Sequence, residues 1–140
     1  MKKGFTLIEL VMVISVILII ISFSSFTFAN SKTYRAKEEI RKIKKDIEFT
    51  RNLAMSNRED AHFLINNDFY EIKCKDIYEK RKIRYIKFLN NKSNISDISF
   101  TRNGSTKFDG SGTLVFEINN KNYYITIEPI TGRVNLKDES

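Results

Sequence analysis

The chain begins Met1-Lys2-Lys3-Gly4-Phe5-Thr6-Leu7-Ile8-Glu9-Leu10, and this stretch opens an apolar run that lasts to residue 29. Every residue in 5–29 is apolar or carries a hydroxyl, except Glu9. A run of this length can cross a bilayer, which takes about 20 apolar residues. An ionisable side chain inside such a run costs free energy and is a functional hypothesis by default. The sequence therefore predicts a membrane helix over residues 5–29 in which Glu9 carries the function.

Two ordinary interpretations explain only part of this stretch. A secretory signal peptide has an apolar core of about 7–15 residues, but the run here is much longer, and an acid inside the core opposes translocation. A plain single-pass anchor explains the length, and the positive-inside rule would place Lys2 and Lys3 in the cytoplasm. It gives no reason for Glu9.

A third interpretation uses every residue of the stretch. Gly4-Phe5-Thr6-Leu7-Ile8-Glu9 resembles the class III signal of type IV prepilins and pseudopilins, in which a short basic leader and a glycine precede Phe-Thr-Leu-Ile-Glu and a long apolar helix. The resemblance covers residues 1–29 almost position for position. It implies a leader of residues 1–4, cleavage between Gly4 and Phe5 by a membrane-embedded prepilin peptidase on the cytoplasmic side, and N-methylation of Phe5.

Physical chemistry supports these implied roles. Cleavage would create an α-amino group on Phe5, and Glu9 would lie about one helical turn deeper. When such helices pack side by side with a stagger, Glu9 of one subunit can meet the Phe5 amine of its neighbour, so burial of the acid is tolerated only in the correct register. A methylated amine is still cationic, so the pair survives methylation. Gly4 suits the cleavage site because it has no Cβ to obstruct the peptidase.

One position departs from the family pattern. Many major pilins have a proline at the position of Phe26, where the helix loosens on polymerisation. The hydroxyl groups around Phe26 can loosen a helix mildly by bonding to backbone carbonyls; they belong to Ser22, Ser24, Ser25 and Thr27. The absence of proline favours a minor subunit.

Residues 30–58 continue the helix with a different surface. Their apolar residues recur at a spacing of three and four, at Ile40, Ile43, Ile47, Leu53 and Ala54. That spacing predicts one buried helical face. No proline or glycine interrupts residues 5–58, so we expect one spine helix of about 50 residues. Its interleaved acids and bases indicate a solvated face with i,i+4 pairs more than a nucleic-acid stripe.

The period changes to two from Ala61, which predicts a β head over residues 59–140. The pattern predicts two hairpins, 61–66 with 69–75 about Asn67-Asp68 and 113–119 with 122–128 about Asn120-Lys121, single strands over 83–89, 98–101 and 134–136, and an exposed charged connection over 76–82. Asp109-Gly110-Ser111-Gly112 reads as a tight turn, since no Gly-Lys-Ser/Thr follows to make a phosphate loop. Cys74 is expected to be buried and His62 part-buried in a strand.

The head resembles the minor-pseudopilin group that includes the GspH, FimT and ComGD subunits. The stretches that carry the resemblance are 98–100, Gly104, the Gly110–Gly112 turn, 114–116, and Ile127-Glu128-Pro129-Ile130-Thr131-Gly132-Arg133-Val134. The implied fold is α+β, the pilin fold. A long N-terminal spine helix, transmembrane and then amphipathic, packs on an antiparallel, sandwich-like β head.

No catalytic or metal-ligating constellation is visible in the sequence, so we expect neither an enzyme nor a cofactor. The resemblance implies a minor pilin or pseudopilin that is extruded by an ATPase-driven platform for DNA uptake, protein secretion or pilus-based motion. The implied partners are other pilin subunits, prepilin peptidase, assembly platform proteins and the membrane. The implied location is the cell membrane, with the N-terminus cytoplasmic and the head outside, and then a filament.

Basic residues raise an alternative, in which the head binds DNA directly during uptake. The net charge is +7, and about +6 of it remains in residues 30–140 without Lys2, Lys3 and Glu9. These charges are not gathered in one block, which indicates solubility or weak attraction to phosphate polymers. The candidate contacts are Arg102, Lys107, Arg133 and Lys137 near the end of the chain, and the patch Lys80-Arg81-Lys82.

Overall fold

One long helix and two antiparallel sheets make up the structure. The computed structural model describes residues 6–107 and 110–138, and for residues 23–31 it describes the backbone. Helix α1 runs Leu7–Asn57. The strands that follow in the described residues are β1 Ala61–Ile65, β2 Phe69–Cys74, β3 Ile77–Lys82, β4 Lys87–Phe88, β5 Asp97–Phe100, β6 Gly112–Ile118, β7 Lys121–Ile127 and β8 Val134–Asp138. The chain divides into two compact units, one ending at Tyr34 and one beginning at Arg35. The α+β class is confirmed.

The second half of α1 buries one face, as the spacing of its apolar residues predicts. Ile40, Ile43 and Ile47 are at most 1 % exposed. The stripe also takes in Ala36, Thr50 and Ala54. The buried hydroxyl of Thr50 has a hydrogen-bond partner within the helix, because its Oγ1 donates to the backbone oxygen of Asp46 at 2.8 Å.

Two four-stranded sheets form the head. Sheet A has the order β3-β2-β1-β5 and sheet B the order β4-β6-β7-β8, and every pairing is antiparallel. Alternate residues of β1, β2 and β7 point inwards, and both sheets and α1 contribute to one buried cluster. Its largest fully buried side chains include Phe63, Phe100 and Phe116.

Turn residues set the registers of the two predicted hairpins. The first hairpin turns at Asn67-Asp68 as predicted, with Ile65 opposite Tyr70. The second turns one residue earlier than predicted, because Asn119 and Asn120, at φ of 50° and 62°, are the two residues with positive φ between β6 and β7. Two consecutive positive φ angles are what a type I′ turn requires, and asparagine tolerates them well.

Two predictions for the middle of the head are wrong. Residues 76–82, predicted as a connection, contain the whole of β3, an edge strand paired along its length with β2. Residues 83–89, predicted as a strand, contribute only the two-residue β4. The chain crosses here from sheet A to sheet B, and the carboxylate of Glu39 on α1 accepts the backbone N–H groups of Arg84 and Tyr85 at 2.9 and 2.7 Å. These amides therefore have a helix side chain as partner in place of a neighbouring strand.

Cys74 and His62 lie where the alternation predicts. Cys74 is 2 % exposed on the inner side of β2. His62 is partly buried on the outer side of β1, with its Nδ1 3.6 Å from an oxygen of Asp97.

Candidate assembly site

Glu9 lies in the first turn of α1, where it has a local partner. Thr6 precedes the helix, and its backbone oxygen accepts the N–H groups of Glu9 and Leu10 at 3.1 and 3.2 Å. The Thr6 hydroxyl donates to the Glu9 carboxylate at 3.5 Å. The sequence Thr6-Leu7-Ile8-Glu9 matches the Ser/Thr-x-x-Glu pattern of a capping box, and it places an acid at the positive end of the helix dipole. The sequence of these four residues could have indicated this local contact of Glu9 at the helix start. Gly4 and Phe5 lie outside the described residues.

The first turns of α1 present an exposed apolar surface. Leu7 is 81 % exposed, Ile8 69 % and Met12 66 %, and apolar side chains as far as Ile21 are about half exposed or more. Exposure of a continuous apolar surface to water costs free energy, so this surface indicates contact with lipid or with another apolar surface.

Hydroxyl groups in this segment are satisfied within the helix. Ser15 Oγ donates to the backbone oxygen of Val11, and Ser22 Oγ to that of Leu18, each at 2.8 Å. This is the back-bonding expected of Ser22. Ser24, Ser25 and Thr27 have side chains outside the described set. Within the described residues, no helical stretch combines the length and the apolarity needed to cross a membrane.

The predicted DNA-contact residues do not form one patch. Lys107 Nζ is 2.6 Å from Asp60 Oδ2, and this hydrogen bond lowers the pKa of Asp60. Arg102 and Arg133 are exposed on loops that meet, since a Cβ on Gly132 would clash with the carbonyl oxygen of Gly104. Neither guanidinium makes an ion pair within the described residues. Lys137 stands apart, opposite Tyr124 in β8.

Arg81, predicted as an exposed base, instead forms an ion pair with Asp46 of α1. Its Nη1 is 2.6 Å from each oxygen of Asp46, and its Nη2 bonds to Glu79. The Tyr70 hydroxyl also donates to Asp46, at 2.5 Å. Burial and this hydrogen bond raise the pKa of Tyr70. Burial opposes the charge of Arg81, but its hydrogen bonds to Asp46 and Glu79 raise its pKa overall.

Sequence reasoning missed Asp46, although a signal was present. Asp46 lies three residues after Ile43 and four before Thr50, so it occupies the buried stripe of α1, and it is 7 % exposed. An acid at such a position requires a buried partner.

Lys80, next to Arg81, also has partners within the chain: its Nζ is 3.2 Å from Glu71 and 3.6 Å from the centroid of the Phe69 ring. Hydrogen bonds from Lys73, Tyr78 and Lys80 lower the pKa of Glu71 to about 2. Among the described residues, no cluster of His, Cys, Asp or Glu could hold a metal ion.

Comparison with known proteins places the N-terminal segment in a defined class of signal. Residues 1–25 match the family model described as the prokaryotic N-terminal methylation motif. This match indicates a type IV pilin-like prepilin signal and supports a processed, pilin-like subunit that assembles with others of its kind after prepilin peptidase has acted. No curated protein and no solved structure matches the chain.

Proposed function

We propose that this chain is a minor pilin or pseudopilin. It is inserted in the cell membrane through residues 5–29, cleaved between Gly4 and Phe5, methylated on Phe5, and then assembled into a filament with its head outside the membrane. The filament serves DNA uptake, protein secretion or pilus-based motion. The chain acts as a structural subunit and not as an enzyme.

The observation that carries this proposal is the N-terminal methylation motif at residues 1–25. Two features of the described chain support it. The apolar surface from Leu7 to Ile21 is suited to a membrane or to a bundle of similar helices. The carboxylate of Glu9 lies in the first turn of α1, where we propose that it pairs with the Phe5 amine of a neighbouring subunit. An acid left unpaired near the centre of a bilayer costs about 3 kcal/mol and less towards its edge.

Cleavage at Gly4 is the first test. We expect Gly4→Val to leave the precursor uncut in cells that contain prepilin peptidase, because the Cβ and its methyl groups obstruct the approach of the peptidase to the backbone. Gly4→Ala is the graded control and should be cut more slowly than wild type. Intact-mass spectrometry of the membrane fraction distinguishes the precursor from a chain that begins at N-methylated Phe5. Processing of Gly4→Val at the wild-type rate, or a wild-type chain that keeps residues 1–4, would contradict the proposal.

A second candidate function is direct contact between the head and DNA. The observation that favours it is the meeting of the loops that carry Arg102 and Arg133, both without an ion pair in the described residues. Lys107, Lys80 and Arg81 oppose it, since acids of the same chain bind all three.

A further inference from the structure

The turn between β7 and β8 holds an isoleucine in a backbone conformation that isoleucine rarely adopts. Ile130 has a φ of 69°. The N–H of Thr131 donates to the backbone oxygen of Pro129 at 2.7 Å, which closes a three-residue turn about Ile130. A γ-turn with positive φ at its centre is rare and strained, and a side chain branched at Cβ increases that strain.

Hydrogen bonds on both sides hold this turn in place. The N–H of Gly132 donates to the oxygen of Glu128 at 3.1 Å, and the N–H of Glu128 donates to the oxygen of Arg133 at 2.9 Å. The Glu128 carboxylate accepts from Thr131 Oγ1 and from Asn135 Nδ2, at 3.1 and 2.7 Å. The turn is therefore preorganised and presents Ile130 in a fixed direction.

Nothing within the described chain explains why an isoleucine occupies this position. Its side chain is 81 % exposed, so burial does not offset the backbone strain. Glycine or asparagine would adopt this φ at lower cost. Strained residues persist where function requires them. The side chain of Ile130 therefore points to a contact with another molecule.

A concave site of matching size lies elsewhere on the head. A pocket of about 360 Å³ opens beside the β1–β2 turn, and its apolar lining residues are Ile65, Phe69 and Phe88. Its other lining residues are polar: Asn66, Asn67, Asp68, Asn90 and Ser96. At roughly 30 Å³ per water molecule, this volume corresponds to about twelve waters, which is more than one branched side chain occupies.

The pocket and the turn lie at opposite ends of the head. Gly132 of the turn packs against Phe100 of sheet A, and Phe100 pairs with Ala61 at the start of β1. The pocket lies at Ile65, at the end of β1. These two ends of β1 are on the order of 13 Å apart. In sheet B, β6 begins next to the turn, where Gly112 pairs with Ile127, and reaches the pocket where Phe116 pairs with Phe88.

We propose that Ile130 of one copy of this chain inserts into the Ile65/Phe69/Phe88 pocket of the next copy. A projection at one end and a pocket at the other make a heterologous contact, which propagates as an open filament and does not close into a dimer. Among the residues that line the pocket, the only ionisable one is Asp68. Its charge is opposite to that of Arg133, three residues after Ile130, and Arg133 makes no ion pair in the described part of its own chain.

A contact formed by one small turn is too small to hold two subunits together on its own, since stable interfaces bury roughly 800 Å² per partner. It acts when the proposed helix bundle already holds neighbouring heads at high effective concentration. The inference therefore rests on the proposed function, and it adds the head contact that sets the order of subunits along the filament.

Disulfide trapping in the full-length chain tests this contact. We expect Ile130→Cys combined with Asn67→Cys to give a ladder of dimers and longer products when assembled subunits are oxidised, with each single variant giving none. The matched control is Ile130→Cys with Lys121→Cys, which places an exposed cysteine at the same end of sheet B but outside the pocket. The native Cys74 is buried in every variant. We expect the trapping yield of the pocket pair to exceed that of the control pair at least tenfold.

The other outcomes overturn the inference in distinguishable ways. Subunits recovered in sheared filaments without trapping of the pocket pair, or with equal trapping of the control pair, refute the head contact and leave the proposed function intact. Trapping to a protein of different mass refutes a second copy as the occupant. No assembled subunits in any fraction contradicts the proposed function and this contact together.

A second measurement does not depend on trapping. We expect Ile130→Gly to raise the melting temperature of the detergent-solubilised chain by about 4 °C, because glycine relieves the backbone strain, while the recovery of the chain in filaments falls severalfold. An unchanged or lowered melting temperature would show that the relief of strain does not exceed the chain entropy that glycine adds to the unfolded state, and normal filament recovery would show that Ile130 is not an anchor.

Discussion

Glu9 has a local role in α1 and a proposed role between subunits, and the two respond differently to the loss of charge. Locally, its carboxylate accepts a hydrogen bond from the Thr6 hydroxyl at the start of the helix, at 3.5 Å. A glutamine at the same position fits a capping box as well as a glutamate does. Between subunits, only a negative charge can neutralise the amine of a neighbouring Phe5. Substitutions at this one residue can therefore separate the two roles.

We expect Glu9→Gln to be cleaved and methylated as wild type but to be absent from filaments, because the helix start is preserved and the charge is lost. Glu9→Asp keeps the charge on a side chain one methylene shorter and should retain part of the assembly. Cleavage is measured by intact mass, and assembly by recovery of the subunit after shearing. Normal incorporation of Glu9→Gln would exclude pairing with the neighbouring amine and leave capping as the role of Glu9.

Contacts between α1 and the sheets determine the middle of the head, and they explain what the sequence could and could not predict. The Asn67-Asp68 hairpin was predictable because its register depends on local turn residues and alternation. Strand β3 was missed because its residues, Ile-Tyr-Glu-Lys-Arg-Lys, have the charged composition of a loop, and charged side chains are also what protects an edge strand. Near the end of β3, Arg81 binds Asp46, and in the segment that follows, which is not a strand, the backbone of Arg84 binds Glu39. Both acids lie more than thirty residues earlier in the chain. A side-chain contact over that separation leaves no periodic signal.

Asp46 joins α1 to β2 and β3, so its removal should destabilise the whole head. We expect Asp46→Asn to lower the free energy of unfolding by about 3 kcal/mol, since breaking one side of a buried ion pair leaves the other charge without compensation. Glu48→Gln is the control, because Glu48 is paired with Lys44 on an exposed face and such pairs contribute about 0.5 kcal/mol. Urea denaturation of the detergent-solubilised chain, followed by tyrosine fluorescence, measures both. Equal effects of the two substitutions on the free energy of unfolding would show that the Asp46 cluster stabilises the head no more than an exposed ion pair does.

At the scale of the whole molecule, the charge distribution bears on whether the head binds DNA. The net charge is +7, but several of the predicted contact residues are bound by acids of the same chain, which leaves single exposed bases spread over the surface. A nucleic-acid site needs several cations that reach one stretch of backbone together, because the affinity comes from the counterions they release. Arg102 and Arg133 supply two such cations at one place, and Lys82 and Lys92 are exposed elsewhere.

We therefore expect only weak binding of duplex DNA to the detergent-solubilised chain, with no dependence on one patch. In a gel-shift titration over salt concentration, Arg102→Ala/Arg133→Ala and the control Lys82→Ala/Lys92→Ala should weaken binding equally, to within about a factor of two. Both should reduce the slope of log K against log salt to the same extent, by no more than about 0.9 per cation removed. A loss of tenfold or more for the arginine pair alone would establish the meeting of those two loops as a DNA-binding site and make DNA capture a function of the head. Equal and small losses would exclude a DNA-binding site at the meeting of those two loops.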